Sequence, residues 1–400
     1  MKKRLVSMMM AAVMAASLTA CGGGADTGGT GGSSSETSGA VTDAGGGVLK
    51  IGGIGPVTGD AAVYGQAVRN AAELAVKEIN EAGGINGMTV EFKFEDDEHD
   101  PEKSVNAYNT LKDWDMDMLV GTVTSGPCIA VAAESANDNL FQLTPSGSAV
   151  ECLVDDNVFR VCFSDPNQGA ASAQYIGEHE LATSVAVIYD SSDVYSSGIY
   201  ETFEKESQNQ PFDIVATAAF TSDSNTDFTV QLQKAKESGA ELIFLPIYYK
   251  ETSLILTQAN SMGYAPMFFG CDGLDGILTV ENFNTALAED VMLLTPFAAD
   301  AEDELTKKFV ANYEAAYETT PNQFAADAYD AIYIIKAAAE AGNVTADMSV
   351  SDMSDAMKAA MITISLDGLT GEGMTWTADG EPSKAPKAVK IVDGAYTLME

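Results

Sequence analysis

The 400-residue chain has two histidines, two tryptophans and five cysteines, and 21 basic residues against 59 acidic ones. Each scarcity excludes something. His99 and His179 lie far apart and no CxxC occurs, so the nitrogen and sulfur ligand sets that hold zinc cannot be assembled; no metal and no cofactor is expected. The same shortage, with no GxSxG and no phosphate loop, leaves no nucleophile paired with a base, so the chain is not expected to be an enzyme. A formal net charge of −38 repels nucleic acid and anionic lipid alike, which makes both poor partners. The acidity itself reads as a solubility feature.

What is present begins with Lys2, Lys3 and Arg4, followed by an apolar stretch from Leu5 to Ala16. This is too short for a stable membrane span and reads as an export signal. It closes on Leu18-Thr19-Ala20-Cys21, which resembles the lipobox of bacterial lipoproteins. That resemblance implies that residues 1–21 form a lipoprotein signal ending at an acylated Cys21, the first residue of the mature protein. Removing the signal leaves 18 basic against 59 acidic residues, a net of −41. Residues 22–47 hold eleven glycines, no Lys or Arg and no large apolar side chain, so they cannot bury enough surface to offset the entropy of ordering. They form a tether that lets the folded part stand about 25–30 Å off the bilayer.

Beyond Cys21 remain Cys128, Cys152, Cys162 and Cys271. Four cysteines allow three pairings, and sequence does not choose among them. Buried thiols are the expected state, with Cys152 and Cys162 the one pair to test for a bridge.

The remaining ~350 residues exceed what one core organises, so two lobes are expected. From Val48 onward, short β-rich runs alternate with segments of helical period, the signature of parallel α/β architecture. Val48 to Ile54 reads as a strand and about Val63 to Ala82 as a helix, with Ala67, Val68, Ala71, Leu74, Ala75 and Ile79 on one face. Gly83-Gly84 supplies the stop. Strands are expected at Thr89–Phe94, Asp117–Gly121 and Leu140–Leu143, and helices near Pro101–Lys112 and Pro127–Ala136. The order then begins again. Strands near Ser184–Tyr189, Phe212–Ala218, Glu241–Pro246 and Met267–Phe269 alternate with helices near Asn167–His179, Tyr195–Gln208, Phe228–Ser238 and Glu251–Met262. Three more helices, near Glu302–Tyr317, Phe324–Ala341 and Ser351–Met361, precede short strands that include Ala388–Val392. Two such arrays define two doubly wound lobes whose loops at the strand carboxyl ends face a shared ligand.

The run Ile51-Gly52-Gly53-Ile54-Gly55-Pro56-Val57-Thr58-Gly59 is followed by Tyr64-Gly65 and, after Ala71, by AVKEINEAGGINGM. Asp96-Asp97 with Asp100-Pro101, the Val120–Ser125 turn, Leu143-Thr144-Pro145 and Gly270-Cys271-Asp272-Gly273 continue the series. Taken in order, these motifs resemble the leucine/isoleucine/valine-binding family of extracytoplasmic solute receptors. The resemblance covers essentially everything from Val48 onward. It implies a type I periplasmic-binding-protein fold, two Rossmann-like α/β lobes joined by a three-stranded hinge. One lobe would hold 48–165 plus 298–385, the other 166–297 plus 386–400. It also implies a monomer that binds an amino acid, branched-chain aliphatic by default, and hands it to an ABC permease complex. The protein would be held to the outer face of the cell membrane by its N-terminal lipid.

A zwitterion needs oriented partners of both signs before its charges can leave water. Ser125 stands at a helix start, where its hydroxyl and the free backbone N–H groups suit either a plain N-cap or an anion site; the family's carboxylate-binding serine falls here. Ser146 and Ser148 follow a strand, and the resemblance gives the Ser146 carbonyl to the ammonium and the Ser148 hydroxyl and N–H to the zwitterion. Asp272, at a strand end, takes the family's ammonium-binding acid position. Tyr64, Tyr195 and Tyr248 align with aromatic walls of the cleft, and Phe324 with a border of the side-chain pocket. The disulfide that branched-chain receptors of Gram-negative bacteria carry near the cleft is absent, its positions being occupied by about His99 and Thr124. The rival readings are a same-fold receptor for an aromatic acid, an amide or urea, which an acid at 272 disfavours; an enzyme; and a sensory domain, which would need a fused membrane or signalling segment.

Overall fold

The computed structural model describes residues 46–399; the export signal, Cys21 and nearly all of the tether lie outside the described residues. In chain order come β1 (Val48–Gly55), α1 (Ala62–Glu81), β2 (Thr89–Asp96), α2 (Pro101–Asp113), β3 (Met118–Gly121), α3 (Ser125–Asp138), β4 (Gln142–Thr144) and β5 (Val158–Arg160). The five strands form one sheet in the order β2-β1-β3-β4-β5, all parallel. The helices between them supply the crossovers that parallel pairing requires.

The pattern repeats with α4 (Asp165–Glu178), β6 (Ser184–Asp190), α5 (Val194–Ser207), β7 (Asp213–Phe220), α6 (Thr229–Glu237), β8 (Leu242–Leu245), α7 (Tyr249–Ser261), β9 (Met267–Gly270) and β10 (Met292–Thr295). Its strands run β7-β6-β8-β9-β10, the same order as the first sheet once numbered from its own first strand. Three helices follow, α8 (Glu304–Tyr317), α9 (Gln323–Ala341) and α10 (Val350–Met361), and then β11 (Lys387–Val392) and β12 (Ala395–Leu398). β11 and β12 extend the second sheet antiparallel beyond β10, whereas α9 packs on α1 beside the first sheet. The chain therefore leaves the first sheet after β5, returns after β10 and leaves again before β11.

β5 and β10 are not foreseen from the sequence. They are three or four residues long, too short to show a period, and a strand buried on both faces has no polar alternation to reveal it.

Local chemistry fixes the helix ends. Asp100, Asp193, Asp303, Asn322 and Ser349 each precede a helix and accept a hydrogen bond from the backbone N–H three residues on, satisfying a donor with no intrahelical partner. α1 stops at Gly83 and Gly84, whose φ of +106° and +79° suit glycine. Its inner face buries Tyr64, Val68, Ala71, Ala75 and Ile79 in a core that also includes Ile188, Leu245 and Phe324, so one apolar mass runs through both sheets' territories. The other faces of the two sheets have smaller cores, around Tyr108, Leu111 and Leu119 and around Phe203, Phe244 and Phe269.

Gly65, inside α1, lies so close to the β1–α1 loop that a Cβ there would stand 2.0 Å from the Pro56 carbonyl oxygen. Gly-to-Ala in a helix interior ordinarily stabilises by about 1 kcal/mol. Here Gly65→Ala is expected to destabilise by about 1–3 kcal/mol, the range for forced overpacking, as a lowered urea midpoint.

Candidate functional site

The loops at the carboxyl ends of both sheets meet. From the first sheet come Tyr64 in the first turn of α1, Val123 to Ser125 at the start of α3, and Ser146 after β4. From the second come Tyr195 in the first turn of α5, Tyr248 just before α7, and Asp272 and Gly273 after β9. Phe324 opens α9. These residues line a single cavity, which holds seven of the eight candidates: Ser125, Ser146, Asp272, Tyr64, Tyr195, Tyr248 and Phe324.

Tyr64 ties one wall to the other, and further contacts knit each wall within itself. The Tyr64 hydroxyl donates to the Gly273 carbonyl at 2.5 Å and accepts from Tyr249 N–H at 3.3 Å. The Tyr195 hydroxyl donates to Asp272 Oδ1 at 2.7 Å and accepts from Gly273 N–H at 2.9 Å. The rings of Tyr195 and Tyr248 stack at 4.9 Å, and that of Tyr64 sits 4.2 Å from Phe324. Lys250 pairs with Asp60 from the other side. The cavity is thereby closed to about 10 Å³, room for about one water, so an amino acid held between these walls must spread them. A cavity of about 610 Å³ shares Tyr195 and Tyr248 with it and extends past His99, Asp60, Asp193 and Glu251.

Ser125 departs from a plain N-cap. Thr124 occupies the cap position, and Ser125 is the first helical residue. Its hydroxyl oxygen accepts from Ser148 N–H and Ala149 N–H, both at 3.2 Å. With both lone pairs used, what remains to it is its proton, beside the unpaired N–H groups of the first turn. The arrangement favours an anion.

Ser148 is the candidate that does not line the cavity. Its N–H is taken by Ser125, its carbonyl accepts from Arg160 and from Asp165 N–H, and its hydroxyl lies against Asp165 without a well-formed hydrogen bond. Arg160, with a fully buried side chain, causes this by gathering the carbonyls of Gly147 at 3.3 Å, Ser148, and Ala149 at 3.0 Å. Ser146 is fixed as well, its hydroxyl donating to Val123 O at 2.6 Å. Arg160 and Gln168, whose Oε1 accepts from Asp272 N–H at 3.2 Å, are structural members of the site that sequence reasoning missed. The signal for Arg160 was an arginine inside the apolar run Val158–Phe163 of a chain with so few basic residues.

His99 and Thr124 are joined, with Nδ1 and Oγ1 at 2.8 Å. All four described cysteines are free and buried.

Two doubly wound α/β units with a closed crevice at their strand ends define a type I periplasmic binding protein. The chain matches the family model described as periplasmic binding protein over residues 48–395, and it belongs to that family, a non-enzymatic transport component. It is 29% identical over 301 residues to a Leu/Ile/Val-binding protein homolog of Brucella melitensis, covering 75% of this chain and 80% of that one. It is 28% identical to a leucine-, isoleucine-, valine-, threonine- and alanine-binding protein of Pseudomonas aeruginosa, covering 72% and 76%. The branched-chain amino acid transporter substrate binding protein LivJ of Streptococcus pneumoniae, solved with isoleucine, superposes with a TM-score of 0.79 at 27% identity, covering 88% of this chain and 99% of that one. A solute binding protein of R. palustris, solved with benzoate, shares the fold at 20% identity and a TM-score of 0.77, covering 88% and 95%. Among the described residues no helix is long and apolar enough to cross a membrane, and no cluster of His, Cys, Asp and Glu could hold a metal ion.

Burial pushes the Asp272 carboxyl up to about 7, against the pull of its hydrogen bond from Tyr195 and with a further push from Asp327. Asp165, Asp193 and Asp327 are raised too, each first by burial. The closed arrangement thus holds protons that solvated carboxylates would release, and this contribution to closure is complete below about pH 4 and lost as pH rises through 7. His99, lowered by burial, opposes it but is one group against several. In ligand-free protein, small-angle scattering is expected to show the radius of gyration falling from pH 8 to pH 5, with the change reduced in Asp272→Asn.

Proposed function

We propose that this receptor binds a zwitterionic α-amino acid between its lobes, of branched-chain aliphatic type by its relatives, and presents it to an ABC-type permease. In this reading the lobes divide at 48–165 plus 298–385 and 166–297 plus 386–400, and Cys21 carries the lipid that holds a monomer to the outer face of the membrane. The observation that carries the reading is a single crevice with the α3 tip and the Ser125 hydroxyl on one wall and Asp272 on the other. The first suits a carboxylate and the second an ammonium, each charge gaining the oriented partners that dehydration demands. The ligand docks on the wall of Ser125 and Ser146. The lobe bearing Tyr195, Tyr248 and Asp272 then closes over it by rotation at the three crossings.

Closure is favoured because it gives both ligand charges partners from opposite sides. The contact of Tyr64 with Gly273 is the one the ligand loosens, and the tyrosine rings then wall its aliphatic part.

Asp272→Asn keeps the shape and removes the charge. It is expected to weaken amino-acid binding by about 2–5 kcal/mol, the cost of deleting one partner of a buried charge pair, while leaving the ligand-free protein at least as stable, since an amide has no charge to dehydrate. Calorimetry showing undiminished affinity in a folded variant would overturn the role of Asp272.

A thermal-shift screen of the twenty amino acids against benzoate-type acids, amides and urea tests the ligand class. Stabilisation by aliphatic amino acids is expected. Stabilisation by an aromatic acid or a neutral amide alone would replace the reading.

A further inference from the structure

Behind the Ser125 wall two thiols face each other. Cys128 lies one turn into α3, and Cys152 in the short 3-10 turn Val150–Leu153 that follows the Ser146–Ser148 loop. Both are fully buried, and with Ala149 they form a small apolar cluster of their own. Cys152 Sγ is 3.7 Å from the Ser125 carbonyl, Cys128 Sγ is 3.7 Å from Gln142 Nε2, and the two side chains pack in that one cluster. Cys162, the partner sequence proximity favoured for Cys152, is instead a neighbour of Arg160, Asp327 and Lys384, and Cys271 sits against Ser172 at 3.6 Å.

We propose that Cys128 and Cys152 form a disulfide when the chain folds under the oxidising conditions outside the cytoplasm, tying the first turns of α3 to the far end of the Ser146–Ser148 loop. Before the loop docks on the helix neither thiol is buried, so either cysteine can serve as the attacking thiolate.

The chemistry is exchange with a low-molecular-weight disulfide. One cysteine, as its thiolate, attacks one sulfur of that disulfide, expels the other as a thiol and becomes a mixed disulfide. The other cysteine then loses its proton, attacks the first cysteine's Sγ and expels the second thiol. One protein disulfide forms from two thiols while one external disulfide becomes two thiols, which carry off the two protons. Neither thiol is exposed in the folded chain, so exchange precedes the docking of loop on helix. Both cysteines belong to the first-sheet side, so the bridge stiffens one wall of the crevice without crossing it.

The sequence makes the pairing easy to read. No Lys or Arg occurs between Lys112 and Arg160, so Cys128 and Cys152 share tryptic peptide 113–160, whereas Cys162 and Cys271 fall on other peptides. The full chain is unfolded and refolded with oxidised and reduced glutathione, alkylated and digested. Peptide 113–160 is expected unalkylated and about 2 Da lighter than its dithiol form. After further cleavage at Glu134 and Glu151, the pieces 113–134 and 152–160 should stay joined until reduced.

Oxidised protein is expected to melt about 5 °C above reduced protein. Cys128→Ser and Cys152→Ser should each erase that difference, and Cys162→Ser should retain it. Peptide 113–160 carrying two alkyl groups after oxidative refolding, or linked to peptide 161–205, would overturn the assignment. Because the map is read on the unmutated chain, a variant that fails to fold does not affect it.

Discussion

Burying a carboxylate between the loops of two sheets removes it from water, and this dehydration constrains everything else at the site. Asp272 is 3% exposed and receives hydrogen bonds from a tyrosine hydroxyl and, at its own N–H, gives one to Gln168, but it has no cation beside it. Asp165 is buried nearby with neither oxygen well partnered. Such groups are tolerable only if they hold protons or meet a positive charge. In the proposed complex the ligand's ammonium would supply that charge. The same physics makes a purely anionic ligand a poor occupant.

The opposite wall solves the complementary problem with main chain. Arg160 is the organising group: its guanidinium has five donors in a rigid fork, and it turns three consecutive carbonyls of residues 147–149 toward itself. The N–H groups of Ser148 and Ala149 consequently point at Ser125. The serine proton is then the polar hydrogen left over. A chain of neutral hydrogen bonds thus converts a buried cation into donor capacity at the crevice. Trp376, donating from Nε1 to the Arg160 carbonyl at 2.9 Å, anchors β5 against the returning segment that makes the last crossing.

Much of the fold was legible because its signals are local. The apolar face of α1, the Gly83-Gly84 stop and the acid caps before α2 and α5 each act within one or two turns. The site was legible through family resemblance and not through spacing: nothing local brings residues 64, 125, 195, 272 and 324 together, since only the crossings of the whole chain do. The choice between cap and anion site at Ser125 was not legible, because its partners, Ser148 and Ala149, return from another loop. Arg160 was passed over for a related reason, its carbonyl partners being set by loop conformation. For the cysteines, nearness in sequence pointed to Cys162, while packing placed Cys128 beside Cys152.

The repeated strand order puts a tyrosine at the head of the first crossover helix in each half, Tyr64 in α1 and Tyr195 in α5. Both reach the same glycine, one at its carbonyl and the other at its amide. The next corresponding positions do not match in kind: Ser146 after β4 stands where Asp272 stands after β9. A pseudo-twofold scaffold with unlike groups at matching stations gives the crevice a polarity, so that a head-to-tail ligand is accepted one way round and its reversed pose is refused.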